Sequence, residues 1–418
     1  MDNFENFAYV PHKDDLQVLM LGGRRCGKTA VLASMFHAVK HGIANEYLTF
    51  TDQTELKTHG VETQDSLSEK TAELLDLLSH PNTATFLIDQ RPSNYWWDYR
   101  MKIQIRGTDR AFYMNFRDVP GEYCRKGKEG HEAEMRDYIK KCAVFVVVID
   151  TPYLMESANP LNSLCTDGTN MAVNRTEEIL DFIGSVGDGH MVVFCPAKCE
   201  KWYNSGRIGE VNERIKKVYG SLITGLTGKD SKHKNDISII PVLTAGNIEF
   251  VEQKEAFILN DNRENFKLNR LRNGLGLIRC CMQTDTLLRL WDGSPYTKKE
   301  SDAVKPDSEA ALIKSDNESE TVSTGSELVR PYSWFKTCFH SDPTLNGYHP
   351  VNCEQLVLHI TRYMLAKHER ERNIFQYLIA IFRGIDPQEL KKIIDKMQIE
   401  GIIKDKEEHG IVHIQSAY

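Results

Sequence analysis

The ten cysteines of this 418-residue chain include no C-x-x-C pair. The sequence therefore offers neither a zinc-ribbon spacing nor a disulfide framework, and reduced thiols are expected. Long apolar runs are also missing. The longest aliphatic stretch, Ala143 to Ile149, is far too short to span a bilayer. Basic charge is not in excess: 52 Lys and Arg stand against 59 Asp and Glu, for a net charge of -7. Nothing global favours nucleic acid or an anionic membrane as a partner. The opening MDNFENFAYVPHKDD lacks a basic n-region and an apolar h-region, so no signal peptide is expected and the cytoplasm is the expected location. What is present, 41% hydrophobic and 27% charged residues, is the profile of a soluble globular protein with two or three domains.

The most informative stretch runs from Leu16 to Phe36. Leu16, Val18, Leu19, Met20 and Leu21 form an apolar run of strand length. Gly22, Gly23, Arg24, Arg25, Cys26, Gly27, Lys28 and Thr29 then match G-x-x-x-x-G-K-[ST]. Ala30 to Phe36 continues with helical spacing. A glycine-bounded loop between strand and helix turns backbone N–H groups and the positive helix end toward an anion. In that setting Lys28 is expected to bridge the outer phosphates of a nucleotide, and Thr29 to offer its hydroxyl to Mg²⁺. Arg24 and Arg25 are candidates for stabilising transition-state charge in cis, with solvent exposure as the plainer reading. Cys26 reads as a small filler or as a thiol made reactive by the helix end.

Downstream, Thr63 to Ser79 has the spacing of an amphipathic helix. Asp98 to Arg106 alternates apolar and polar residues, Gly107 to Arg110 supplies turn chemistry, and Ala111 to Arg117 pairs back as a hairpin. The hairpin leads into Asp118, Val119, Pro120, Gly121 and Glu122. An acidic residue closing a strand beside the first loop is expected to hold Mg²⁺ through water, with the Gly121 N–H near the terminal phosphate. Gly130 to Lys141 and Met171 to Val186 read as helices, Cys142 to Asp150 and Met191 to Cys195 as buried strands. Val211 to Leu222 reads as a helix and Ile237 to Leu243 as a strand. Such alternation predicts a parallel sheet.

A G-x-x-x-x-G-K-T loop, a hairpin and D-x-x-G in this order resemble the Ras-like and translation-factor-like P-loop GTPases. The resemblance covers about residues 14–250 and the helix predicted within 350–368. It implies an α/β three-layer sandwich with a mostly parallel central sheet. Asp118 and Gly121 match the family's second-switch motif, and Glu122 stands where many members carry the Gln that orients the attacking water. Pro196 is followed by Ala197, Lys198, Cys199 and Glu200, where the family has N-K-x-D. Lys198 matches, Glu200 keeps a carboxylate for guanine, and Ala197 lacks the Asn amide. Thr244, Ala245 and Gly246 resemble the base-contacting S-A-K loop. The longer segment before Asp98 would hold the first switch, with Ser93 as its candidate hydroxyl for Mg²⁺ and Thr83 and Thr85 as competitors. The D-x-P-G-E motif and long insertions are similar to those of the bacterial conflict-system double-GTPase group.

The resemblance implies GTP and Mg²⁺ as ligands, slow hydrolysis, and a protein effector or activating partner. An ATPase, or a non-hydrolysing nucleotide-gated scaffold in a defence-type system, remain the alternative readings. Residues 250–330 read as an insertion, with a charged disordered linker over 296–328. Residues 371–418 read as a small α+β module resembling a winged helix, with strand-like Gly401 to Lys404 and Gly410 to Ile414. Lys367 to Tyr418 carries nine basic and nine acidic residues, which disfavours DNA binding.

Overall fold

The computed structural model describes residues 14–23, 26–59, 62–79, 96–120, 138–156, 189–227, 235–246, 248–256, 277–282, 285–290, 334–341, 348–371, 381–405 and 407–415. Its centre is an eight-stranded mixed sheet. Strand β1 (Leu16–Leu21) lies between β6 (Ala111–Asp118) and β7 (Val144–Asp150) and is parallel to both. Strands β8 (Met191–Ala197) and β9 (Asp236–Ile239) extend the parallel set beyond β7. On the other side β5 (Trp97–Ile105) and β2 (Leu48–Asp52) add antiparallel strands. Helices on both faces make the chain an α/β protein, and among the described residues no helix is long and apolar enough to cross a membrane.

The sequence pattern explains the layers. Strand β1 is buried at every position, as a central parallel strand must be. Val18 and Met20 face one core with Val31, Leu32 and Met35 of α1 (Lys28–His41) and Leu356 and Ile360 of a C-terminal helix. Leu19 and Leu21 face the other core with Phe145, Phe194, Trp202 and Ile215. The period-two alternation of strand side chains thus divides one run of apolar residues between two helix layers. Five cysteines, Cys26, Cys142, Cys195, Cys199 and Cys353, are buried free thiols.

Several expected elements fall where the sequence puts them, with shifted ends. Helix α2 spans Leu67–Ser79. The hairpin β5–β6 turns at Gly107, whose φ of 79° needs no side chain. The helix predicted over Val211 to Leu222 is broken: α5 (Ile208–Val218) and α6 (Gly220–Leu226) replace it, parted at Tyr219, just before Gly220, a residue of weak helix propensity. The strand predicted to reach Leu243 pairs continuously only to Ile239. Beyond it the Ile240 and Val242 N–H groups still donate to the Phe194 and Pro196 carbonyls of β8, on either side of Pro241, and Val242 and Leu243 form single bridges to Ala197 and Val351. The helices predicted over 130–141 and 171–186 lie wholly or mostly outside the described residues, as does the 296–328 linker.

The C-terminal segment corrects an expectation. It was expected to form a module of its own, but its strand β14 (Val412–Gln415) pairs antiparallel with β9 and closes the main sheet. Before it come α7 (Cys353–Glu371) and α8 (Pro387–Ile399), the latter capped by the Asp386 carboxylate on the Gln388 N–H. Residues 401–404 are a turn rather than a strand. Gly401 takes a φ of 74°, and the Gln355 side chain takes both the Ile402 carbonyl (2.9 Å) and the Lys404 N–H (2.9 Å). Backbone groups that a ladder would need are thus held by a helix side chain. Residues 248–341 contain β10 (Ile248–Ala256), β11 (Leu277–Met282), β12 (Asp285–Leu290) and β13 (Trp334–Ser341), which form a separate four-stranded sheet in the order β10-β13-β11-β12.

Candidate functional site

The candidate site lies at the carboxyl ends of β1, β6, β7 and β8, where open α/β sheets hold ligands. Gly22 follows β1 at a φ of 149°. A Cβ there would stand 2.6 Å from the Val148 carbonyl oxygen and 2.7 Å from Cys26 Sγ, so the position excludes a side chain on two counts. Gly27 ends the loop in the left-handed region at a φ of 102° and begins α1 without a side-chain cap. No acidic residue occupies the first turn. The N-terminal amides of α1 and its positive dipole end therefore meet no anionic side chain of that helix.

Lys28 is buried, and its Nζ donates to the Gly22 and Gly23 carbonyls, each at 3.2 Å. The same ammonium stands 3.9 Å from Asp118 Oδ1. Thr29 Oγ1 donates to Asp118 Oδ2 at 2.6 Å. The pairing of Met20 with Asp118 in the β1–β6 ladder sets this meeting: both strands end level, and α1 starts directly above. Burial pushes the Asp118 carboxyl up, against the Lys28 charge and the Thr29 hydrogen bond, which pull it down. Cys26 is fully buried and its thiol is pushed up by that burial, so it is a packing residue under the loop and not a reactive thiolate. Arg24, Arg25, Ser93, Gly121 and Glu122 lie outside the described residues.

A second group of predicted residues converges on the same loop. Lys198 leaves β8 with a φ of 57°. Its Cε would lie 3.9 Å from a Cβ on Gly27, and the Ala197 Cβ 4.0 Å from it. Lys198 Nζ donates to Asp150 Oδ2 at 2.6 Å. Glu200, buried in the first turn of α4 (Glu200–Asn204), accepts the Ala245 N–H on Oε1 at 3.3 Å. The Thr244 carbonyl accepts from Ser34 Oγ of α1 at 2.9 Å. Gly246, at a φ of 70°, packs so closely on the His349 carbonyl that no Cβ fits. Residues far apart in sequence thus share one crevice.

Asp150 was not anticipated by the sequence analysis. Its signal was available: it closes a buried strand as Asp118 does, next to Thr151, which is also fully buried. Chemically, the crevice combines oriented N–H groups, an ammonium held by carbonyls, and a hydroxyl–carboxylate pair. Those groups suit an anion lying beside a hard cation. No family model matches the chain, and no curated protein matches it in sequence.

Proposed function

We propose that the chain binds a guanine nucleoside triphosphate with Mg²⁺ and hydrolyses it slowly as a molecular switch. The observation that carries the reading is the Thr29–Asp118 bond of 2.6 Å beside the Lys28 ammonium. Two hard oxygen donors meet at a helix N-terminus, and one of them is a carboxylate whose proton affinity burial has raised. Such a donor pair fits Mg²⁺, which keeps several waters and takes few protein ligands. When bound, Mg²⁺ would neutralise charge between the outer phosphates.

The protein's own groups supply the rest. Loop amides and the α1 dipole bind the phosphate chain. Lys28 exchanges its carbonyl partners for the outer phosphates and stabilises charge there as water attacks. Glu122 is assigned to that water, and Ser93 and Gly121 to the switch segments that respond to the terminal phosphate. A protein effector or activator is the expected recipient of that change. The Lys198 stem against Gly27 is suited to lie along a base, with the Glu200 carboxylate as acceptor for guanine N–H groups and Thr244 and Ala245 as the supporting loop.

One observation favours an ATP reading instead. Glu200 is turned to the Ala245 N–H, and Ala197 gives the loop no amide side chain. Competition of unlabelled GTP and ATP for a bound fluorescent nucleotide distinguishes the two, and a preference for ATP removes the guanine assignment. Hydrolysis is tested by phosphate release from wild type and Lys28→Ala. Equal rates would mean that the chain is a non-hydrolysing nucleotide-gated scaffold.

A further inference from the structure

The C-terminal part of the chain gathers two imidazoles and a carboxylate, with β9, β8 and β7 between their edge strand and β1. His359 lies on α7, His413 on β14, and Asp405 in the turn between α8 and β14. Asp405 Oδ1 stands 3.7 Å from His359 Nε2 and 3.5 Å from His413 Nε2. One ligand atom from each residue falls within 4.8 Å of the other two. In a tetrahedral zinc site with bonds of about 2.0–2.1 Å, neighbouring ligand atoms lie about 3.3 Å apart. The two spacings from Asp405 to the imidazoles need a contraction of a few tenths of an ångström, and the two imidazoles, within 4.8 Å of each other, must draw closer.

The surrounding hydrogen bonds aim these atoms inward. Asp405 Oδ2 accepts from Arg362 Nη1 at 2.5 Å and Gln398 Nε2 at 2.7 Å, which directs Oδ1 to the imidazoles. Ser238 Oγ donates to Asp236 Oδ1 at 3.2 Å. In the tautomer where that serine oxygen accepts from His413 Nδ1–H, 3.0 Å away, Nε2 carries the free lone pair. His413 Nε2 and Asp405 Oδ1 are both buried atoms that make no hydrogen bond. In that tautomer two acceptors face each other 3.5 Å apart, an arrangement that a cation between them relieves. His359 is buried, with 2% of its surface exposed.

We propose that His359, Asp405 and His413 bind a divalent transition-metal ion of the zinc type, which clasps edge strand β14 to helix α7. A donor set of two imidazoles and one carboxylate suits zinc better than magnesium. His359 Nε2 now donates to the Lys404 carbonyl at 3.0 Å. Binding moves that ring proton to Nδ1 and gives the Nε2 lone pair to the metal. A cavity of about 270 Å³, lined by both histidines, Tyr363 and Lys391, leaves the fourth position to water. The Asp236–Ser238–His413 relay is the kind of outer support that fixes a ligating tautomer. This site stands apart from the nucleotide assignment and does not depend on it.

The test uses the full chain stripped with chelator and titrated with Zn²⁺ and, separately, with Co²⁺. The expected result is one tightly held Zn²⁺, a raised thermal midpoint, and Co²⁺ d–d bands without thiolate charge-transfer absorption. His413→Gln and the near-isosteric Asp405→Asn should each weaken the metal at least tenfold and leave affinity for Mg²⁺-nucleotide unchanged. Absence of uptake by wild type, thiolate bands in its Co²⁺ spectrum, or wild-type affinity in both variants would overturn the proposal. If the variants fail to fold, the Co²⁺ spectrum of the unmutated chain decides alone.

Discussion

The stem of Lys198 crosses Gly27, with its Cε 3.9 Å from the place a Cβ on that glycine would take, and its ammonium ends on Asp150 at 2.6 Å. One side chain therefore connects the turn before α1 to the ends of two further strands. Asp150 has a side chain 5% exposed, against 23% for Lys198. Replacing Lys198 with Met keeps the stem and leaves the carboxylate without that ammonium. Breaking a buried ion pair from one side costs about 3–5 kcal/mol, and the partial exposure of Lys198 lowers the expected loss to about 2 kcal/mol. Urea unfolding of Lys198→Met checks the figure. A loss under a few tenths would mean that water already serves Asp150.

Asp118 and Thr29 make a sharper prediction. If their oxygens are the protein's share of a Mg²⁺ site, Asp118→Asn should weaken Mg²⁺-triphosphate binding about tenfold or more, since about 1.4 kcal/mol suffices for that factor. The same variant should bind nucleotide in EDTA as wild type does. Titrations of a fluorescent nucleotide with Mg²⁺ and with EDTA give the comparison. Equal weakening in both would assign Asp118 to holding the loop instead of the metal.

The parts of the fold legible in the sequence were those fixed by local chemistry. Leu16 to Leu21 read as a buried strand because burial on both faces leaves no polar position, and Gly107 marked the hairpin because the turn needs a positive φ. Asp118 was legible from its place at a strand end. Long-range pairing was not legible. Nothing in Val412–Gln415 says that it closes the main sheet against β9, because an edge strand's partner is set by where α7 and α8 bring it. Residues 401–404 look strand-like until Gln355 is known to take their polar groups. The Lys198–Asp150 pair was missed for the same reason: the register of β7 against β8, with Asp150 opposite Ala197, brings it together.

Beside the site, Asp98 and Arg117 form a buried pair at 2.6 Å in the β5–β6 hairpin. Arg117 also stacks on Tyr138, with its guanidinium carbon 3.8 Å from the ring centroid. Burial raises the Asp98 carboxyl, but the charge and hydrogen bonds of Arg117 and the Lys57 ammonium outweigh it and hold the group low. Asp98→Leu should destabilise the protein by about 3–5 kcal/mol, because a buried guanidinium loses its counter-charge. The double variant Asp98→Leu with Arg117→Met should recover part of that loss. Chemical denaturation of the set gives the coupling, and no recovery would mean that the Tyr138 stacking dominates.

The last prediction concerns acid stability of the metal-free protein. In an unfolded chain His359 would titrate near 6.5. In the fold its pKa falls to about 3: burial is the main cause, the Arg362 charge and the neighbouring His413 ring add to it, and the Asp405 carboxylate and the Lys404 carbonyl oppose it. Between those values the unfolded state binds a proton that the folded state does not. Stability is therefore complete above about pH 6.5 and declines as pH falls toward 3, by up to about 1.4 kcal/mol per unit from this group. Urea midpoints in EDTA at pH 7.5, 6 and 5 should drop accordingly. His359→Gln, which keeps a donor for the Lys404 carbonyl and has no titrating proton, should flatten the profile over that range. A slope unchanged by the substitution would assign the acid sensitivity to other groups and mean that His359 is accessible to protons in the fold.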